Sequence, residues 1–425
     1  MAETWFYLYE GRPVGPVGQD AVAAMLRGGS LGPASYVWRD GMADWLPVAE
    51  IPELRPLMVP RSVLPMPAGQ PGGPPPVVLP AGQRRDGLMA NLAAGISHAA
   101  ELPTLSGVPI RDILLGGLKK GPEPLSIEDQ FIVGTASTTP PLAALPTAWP
   151  KPRIFWRIFG GAMATYLLLQ IGLSLFGNSN FIPGMIVIGA FVVPFSIVIL
   201  FFELNSPRNV SIYQVGKMFL LGGSLSLIVT LVVIQVIPFS GTGALIPAML
   251  TGVGEETGKM LALLLIVGVT RYRWEANGLL FGAAVGAGFA GFESAGYAFN
   301  AALQAQAAGA ATFNLILRGL LAPGGHVIWT AIIGSAIWKI KKDRPFSVAL
   351  LFNGTVLRRW LIAVILHGLW DTDVWLLNNL LKDCLLLILG WYIVFAITKE
   401  ALAQVAAAQQ SVMTQVILAQ GAVGA

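Results

Sequence analysis

The stretch GVGEETGKMLALLLIVGV, beginning at Gly252, sets Glu255, Glu256 and Lys259 inside an apolar run. On a helix Glu255 and Lys259 are i,i+4 neighbours and Glu256 and Lys259 are i,i+3 neighbours, so the ammonium neutralises part of the pair. One negative charge is left over, and a carboxylate in that position can take a proton from water as a general base. Gly258-Lys259 looks like the end of a phosphate-binding loop. That pattern needs Gly at 253 and Ser or Thr at 260, where this chain has Val253 and Met260, so a nucleotide site is rejected.

Three further apolar segments carry isolated polar residues. GLLFGAAVGAGFAGFESAGYAF holds Glu293 in its outer half, and RGLLAPGGHVIWTAIIGSA holds His326 behind a Pro323-Gly324-Gly325 break that frees backbone groups. WLIAVILHGLWDTDVWLL places His367 and Asp371 four residues apart, where the carboxylate can orient the imidazole. The chain has 3 histidines, and two of them fall in these segments. At about 1.5 Å of rise per residue, Glu255, Glu256, His326 and His367 lie near one depth, with Asp371 and Glu293 somewhat further out. Each residue alone could be a packing or tethering group. Their convergence from four helices on one layer favours chemistry, and Lys259 and Arg318 are the expected charge partners.

Composition sets the elements that must hold this layer. The 425 residues are 54% hydrophobic and only 12% charged, far below the roughly 25% charged of a soluble domain. An all-α polytopic membrane bundle is expected, with eight apolar runs near 154–176, 181–202, 216–237, 243–269, 276–299, 314–338, 358–378 and 380–398. Each is close to the roughly 20 residues that cross a bilayer. Charge in the loops is one-sided. Lys151, Arg153 and Arg157, then Arg208 and Lys217, Arg271 and Arg273, and finally Lys339 to Arg344 with Arg358 and Arg359 alternate with uncharged connections, except the short last one, whose only base is Lys382. The positive-inside rule then predicts both termini in the cytoplasm. The formal charge of +4 has no basic cluster in a soluble domain, which argues against nucleic acid. A single cysteine, Cys384, excludes an intramolecular disulfide. The opening MAETWFYLYEGRP lacks a basic then apolar leader, so no cleavable signal peptide is expected.

Trp5 to Leu54 alternates aromatic strand-like runs with Gly and Pro turns around one helical pattern, Gln19 to Arg27, and predicts a small α+β domain. Its Trp5-x-Tyr7 opening, Gly15-Pro16 turn and VWRDGMADWLP segment resemble the bacterial GYF-2 type of domain. The resemblance implies binding of proline-rich peptides on exposed aromatics, with Trp5, Tyr7, Trp38 and Trp45 as candidates. The same rings could equally form the core of so small a domain. The following PMPAGQPGGPPPVVLP is a linker and a candidate intramolecular ligand. In 84–149 only SGVPIRDILLGGLKKG suggests a short amphipathic surface helix. The expected organisation is therefore 1–57, a linker and juxtamembrane region 58–150, a membrane domain 151–400 and a tail 401–425.

GEETGK at 254–259, FAGFES at 289–294 and HGLWD at 367–371 resemble the EExxK, FxxxE and HxxxD motifs of the PrsW family of intramembrane proteases. Their order and the Arg318 to His326 spacing also match. That family is similar to the CAAX-processing and Abi-type membrane proteases. One departure is Ser294, where many members carry Asn, which weakens an amide-binding role there. The resemblance implies hydrolysis of peptide bonds in membrane-associated proteins, in a multi-pass protein of a bacterial cytoplasmic membrane. The catalytic candidates are Glu255, Glu256, His326, His367, Glu293 and Asp371. Metal participation stays open: Glu256, Glu293, His326 and His367 could hold Zn²⁺, yet there is no HExxH signature and a metal-free glutamate mechanism serves as well. The rival classes are a proton-coupled transporter or channel using the same polar layer, and an inactive membrane receptor that recruits proline-rich partners.

Overall fold

The structure is a computed structural model that describes residues 4–9, 12–27, 31, 35–39, 42, 45–54, 88–116, 131–237, 241–267, 272–305, 308–373 and 379–423. The Pro/Gly-rich linker expectation lies outside these residues. The chain divides into two compact units, 1–83 and 84–425.

The first unit is the small α+β domain. Strands β1 (Thr4–Tyr9), β2 (Arg12–Gly18), β3 (Tyr36–Arg39) and β4 (Leu46–Pro47) pair antiparallel in the order β2-β1-β3-β4, and α1 (Gln19–Arg27) follows β2. Gly15-Pro16, expected as a turn before the helix, lies inside β2. Strand alternation sends Trp5 and Val37 into a core with Val22, Leu26 and Leu54. The register pairs Phe6 with Trp38, whose rings lie 5.8 Å apart, and Trp45 continues the row at 6.5 Å.

The second unit is a helical membrane bundle. Helix α2 (Leu88–Ala100) and the short α3 (Ile110–Leu115) precede α4 (Ile154–Phe176) and α5 (Phe181–Leu204). Then α6 (Ile212–Lys217) passes through a π-helical turn, Met218–Gly222, into α7 (Gly223–Ile234). The remaining elements are α8 (Leu245–Val267), α9 (Glu275–Ala305), α10 (Ala308–Leu321), α11 (His326–Lys341), α12 (Gly354–Trp370) and α13 (Asn379–Val423).

Six stretches among the described residues are long and apolar enough to cross a membrane: α4, α5, α6 with α7, α9, α10 with α11, and α13. The other two expected spans correspond to α8, which carries three charges in its middle, and α12, which has 17 residues. The helices that fall short as hydrophobic spans are therefore the ones bearing Glu255, Glu256 and His367. Helix α13 also runs well past the expected limit at 398, through the segment expected as a tail.

Two close approaches position the layer. A Cβ on Gly278, Gly282 or Gly286 of α9 would collide with the Gly334, Thr330 or His326 carbonyl of α11, so these glycines let the two backbones touch. Glu293 follows Gly286 by two turns on the same face. Likewise Gly252 of α8 lies against Val364 and the Gly368 N–H of α12, and Gly368 against Met249, which brings the next turn of α8 beside His367. The sixth expected span breaks as its Pro-Gly-Gly predicts: α10 ends at Leu321, a 3₁₀ turn covers Ala322–Gly324, and α11 starts at His326.

The end of the bundle carrying the Lys and Arg residues is closed by a buried charge network. Arg359 of α12 bonds Glu275 of α9 at 2.6 Å, the Ser335 hydroxyl at 2.7 Å and Glu400 of α13 at 2.8 Å. The region before α4, where little was expected, is tied to the bundle: the Tyr392 hydroxyl lies 2.7 Å from Ser97 Oγ, and Lys399 donates to the Thr104 and Ser106 carbonyls.

Candidate active site

Glu255 and Glu256 sit in the middle of α8, one turn beyond the Gly252 contact. Glu256 is wholly buried, and its Oε1 is 2.6 Å from Lys259 Nζ and 2.9 Å from His367 Nδ1. Glu255 keeps 12% of its side chain exposed and lies 3.4 Å from the same ammonium. The adjacent carboxylates are thus unequal in access. Lys259 has no exposed surface; it also meets His326 Nδ1 at 2.7 Å and lies 4.2 Å over the Phe289 ring. The lysine is a fixed internal cation.

His326 opens α11 at the helix break, and its Nε2 is 3.1 Å from Glu293 Oε2. Arg318, at the end of α10, closes onto the same Glu293 oxygen, donates from Nε to Ser294 Oγ at 2.9 Å, and stacks 4.5 Å from Tyr297. Ser294 therefore serves as an acceptor that fixes the arginine.

His367 Nε2 is 3.3 Å from Asp371 Oδ2 and 3.7 Å from Glu255 Oε2. The backbone around Asp371 is clamped from two sides. The Gly243 N–H donates to the Asp371 carbonyl and the Gly243 carbonyl accepts from the Asp373 N–H, both at 2.8 Å, and Lys382 donates to the Trp370 and Thr372 carbonyls.

All six catalytic candidates, and both charge partners, thus belong to one contiguous polar cluster. Four carboxylates (Glu255, Glu256, Glu293, Asp371) share this cluster with Lys259, Arg318 and the two imidazoles.

The donor set suits a divalent ion. Glu255, His326 and His367 each offer one ligand atom, and these atoms lie within 4.8 Å of one another. Two imidazoles and one carboxylate with an open position are a common catalytic zinc set. The carboxylate of this grouping is Glu255, while Glu256 Oε1 meets Lys259 and His367 and Glu293 Oε2 meets Arg318 and His326. Glu256 Oε2 is buried without a hydrogen bond, so it remains an unused acceptor.

Trp329 is the site residue that the sequence reading missed. Its indole stacks on His367 at 4.4 Å with 20° between planes and meets His326 edge-on at 5.0 Å. Its place three residues after His326, one turn along the same helix, was the available signal. The Gly243 and Lys382 clamp left no such signal, because it joins segments distant in sequence.

In the first unit, Trp5 is fully buried beneath Arg39, whose guanidinium lies 4.9 Å from the ring. Its ring is core and is not offered to a surface ligand. Tyr7 packs against the same core. Trp38 and Trp45 are partly exposed beside Phe6, on the strand face away from Trp5, and Tyr36 is 47% exposed.

Residues 210–398 match the family of PrsW family intramembrane metalloproteases, and residues 5–54 match GYF domain 2. No curated protein and no solved structure matches the chain significantly. All eight polar site residues fall within 210–398, and the sheet with its buried Trp5 and α1 falls within 5–54. The protein is a multi-pass membrane protein whose residues 210–398 form a domain similar to the PrsW family of intramembrane metalloproteases, together with a GYF domain 2.

Proposed function

We propose that this chain is an endopeptidase that hydrolyses peptide bonds of membrane-associated proteins within or beside the bilayer, with Glu255 as the carboxylate that meets the attacking water. The observation that carries this is the convergence of Glu255, His326 and His367 in one buried layer, with Glu255 the more accessible of the two adjacent glutamates.

In hydrolysis the water loses a proton to a base, its oxygen bonds the carbonyl carbon, and the C–N bond breaks as the amine gains a proton. Glu255 is suited to the first transfer. His367, braced by Glu256 and Asp371, is suited to stabilise the oxyanion or return the proton. Glu293 with Arg318 holds His326 in the same layer. Those roles belong to the metal-free site; Zn²⁺ held by Glu255, His326 and His367 would instead make these three side chains ligands and supply Lewis-acid polarisation and an acidified bound water. To join such a set, His326 gives up Lys259 or Glu293, and His367 gives up Glu256 or Asp371. The metal-free alternative uses Glu255 alone as base.

The basic end of the bundle is proposed to face the cytoplasm, with both termini on that side. The partly exposed Trp38 and Trp45 support binding of a proline-rich peptide, from a partner or from the chain's own linker, by the first domain.

The test is cleavage of candidate single-span substrates by reconstituted protein. Glu255→Gln and His367→Ala are each expected to lower turnover at least about 10²-fold, the scale of an acid–base contribution. Unchanged cleavage in both variants ends the protease proposal. Loss of activity on chelation, restored by Zn²⁺, selects the metal version, and activity that survives complete metal removal selects the other.

A further inference from the structure

Lys382 is the only base in the connections at the end of the bundle opposite the basic one. Its place is doubly disfavoured. Basic residues avoid that side of a membrane protein, and Lys382 stands in the first turn of α13, where the helix dipole repels a cation. The chain nevertheless buries it, leaving 9% of its surface exposed.

The ammonium is spent on the end of α12. It donates to the Trp370 carbonyl at 2.7 Å and to the Thr372 carbonyl at 2.6 Å, and its remaining side faces Asp383 Oδ1 at 3.4 Å. The two short bonds flank one residue, Asp371. Helix α12 ends at Trp370, so its last carbonyls have no partners within the helix. Asp371, its C-cap, adds a carboxylate at the negative end of the helix dipole. A cation on these carbonyls offsets both costs. The Gly243 pair does not duplicate it, because that pair holds the Asp371 carbonyl and the Asp373 N–H and neither carbonyl bound by Lys382. With the backbone fixed on both sides, Asp371 Oδ2 is kept 3.3 Å from His367 Nε2.

We propose that Lys382 is a positioning residue of the active site: through the two carbonyls that flank Asp371 it holds that carboxylate where it orients the His367 imidazole. Its effect on turnover rests on the protease reading, whereas its effect on His367 rests on the geometry alone. A lysine outside the polar layer thereby sets one side of it.

The experiment uses the full chain, reconstituted with a single-span substrate and, in parallel, labelled with ¹⁵N-histidine. Lys382→Met is expected to lower kcat about tenfold, the low end of the range for groups that orient a functional imidazole. KM is expected to stay within about twofold, because the loss falls on the chemical step. Lys382→Arg keeps the charge and the donors and is expected to restore most of the rate. In an Asp371→Asn background, Lys382→Met is expected to cost less than about twofold more, since both changes act through one contact. The ¹⁵N spectrum needs no cleavage. Among the 3 histidines, the His367 signals are those lost in His367→Ala, and Lys382→Met is expected to move them while those of His98 and His326 stay in place. If Lys382→Met is not monodisperse, Lys382→Gln, which keeps a neutral donor, is measured instead. An undiminished cost on top of Asp371→Asn, wild-type turnover in Lys382→Met, or unmoved His367 signals each overturn the proposal. A wild type that cleaves nothing, with His367 signals that do move in Lys382→Met, ends the protease reading and supports the positioning.

Discussion

At the scale of single residues, the two adjacent glutamates have become different groups. Glu256 is buried against Lys259 and His367, and Glu255 faces the cluster with part of its surface open. Glu256→Gln is therefore expected to act on stability as well as activity, while Glu255→Gln leaves the melting temperature near wild type; thermal unfolding in detergent separates them. Lys259→Met removes the cation shared by both carboxylates, and stranding a buried charge costs about 3–5 kcal/mol. Unfolding by denaturant measures that loss, and a stability equal to wild type would show that Lys259 is not the internal counter-ion. Trp329 holds two imidazoles by face and edge. Trp329→Phe is expected to preserve much of the turnover and Trp329→Ala to lose it, with about 3–5 kcal/mol of stability. Equal turnover in the two variants removes the ring from the site.

At the scale of elements, the layer depends on how closely helices approach. The α9 and α11 backbones meet at Gly282 and Thr330 without room for a methyl group. Gly282→Val is expected to force the helices apart, at about 1–3 kcal/mol for overpacking, and to reduce turnover more than its stability cost explains, because Glu293 and His326 move with their helices. A comparison of kcat with melting temperature checks this. The opposite end rests on Arg359 and Glu275, each 1% exposed. Removing one partner of such a pair costs about 3–5 kcal/mol, so Arg359→Ala is expected to lower stability as measured by unfolding in mild detergent, although it lies on the basic rim and outside the polar layer. The amphipathic helix expected in 106–121 is present as the short α3, and Ile113 is its buried anchor.

At the scale of the whole molecule, the GYF domain and the membrane unit each have their own core. Trp5, Val22, Val37 and Leu54 close the first, and the α9 and α11 faces centre the second. Trp5→Ala is expected to unfold residues 5–54, whereas Trp38→Ala leaves the fold and removes proline-rich peptide binding. Circular dichroism with a peptide titration distinguishes these outcomes, and a folded Trp5→Ala domain would contradict the core assignment.

Much was legible before any coordinates. Apolar runs report membrane helices because backbone groups in lipid must be satisfied within the segment. Charges inside such runs report function because they are costly there. Hence Glu255, Glu256, Glu293, His326, His367 and Asp371 were visible as a set, and the Pro-Gly-Gly break marked the start of α11. Periodicity along one strand or helix carries no information about which residue across the bundle it meets. Only the tertiary structure decided that Trp5 is core, that Trp329 braces both histidines, and that Gly243 and Lys382 clamp Asp371. It also separated Glu255 from Glu256, two residues of one type on neighbouring positions, because burial is set by the packing of other helices and not by the helix that carries them.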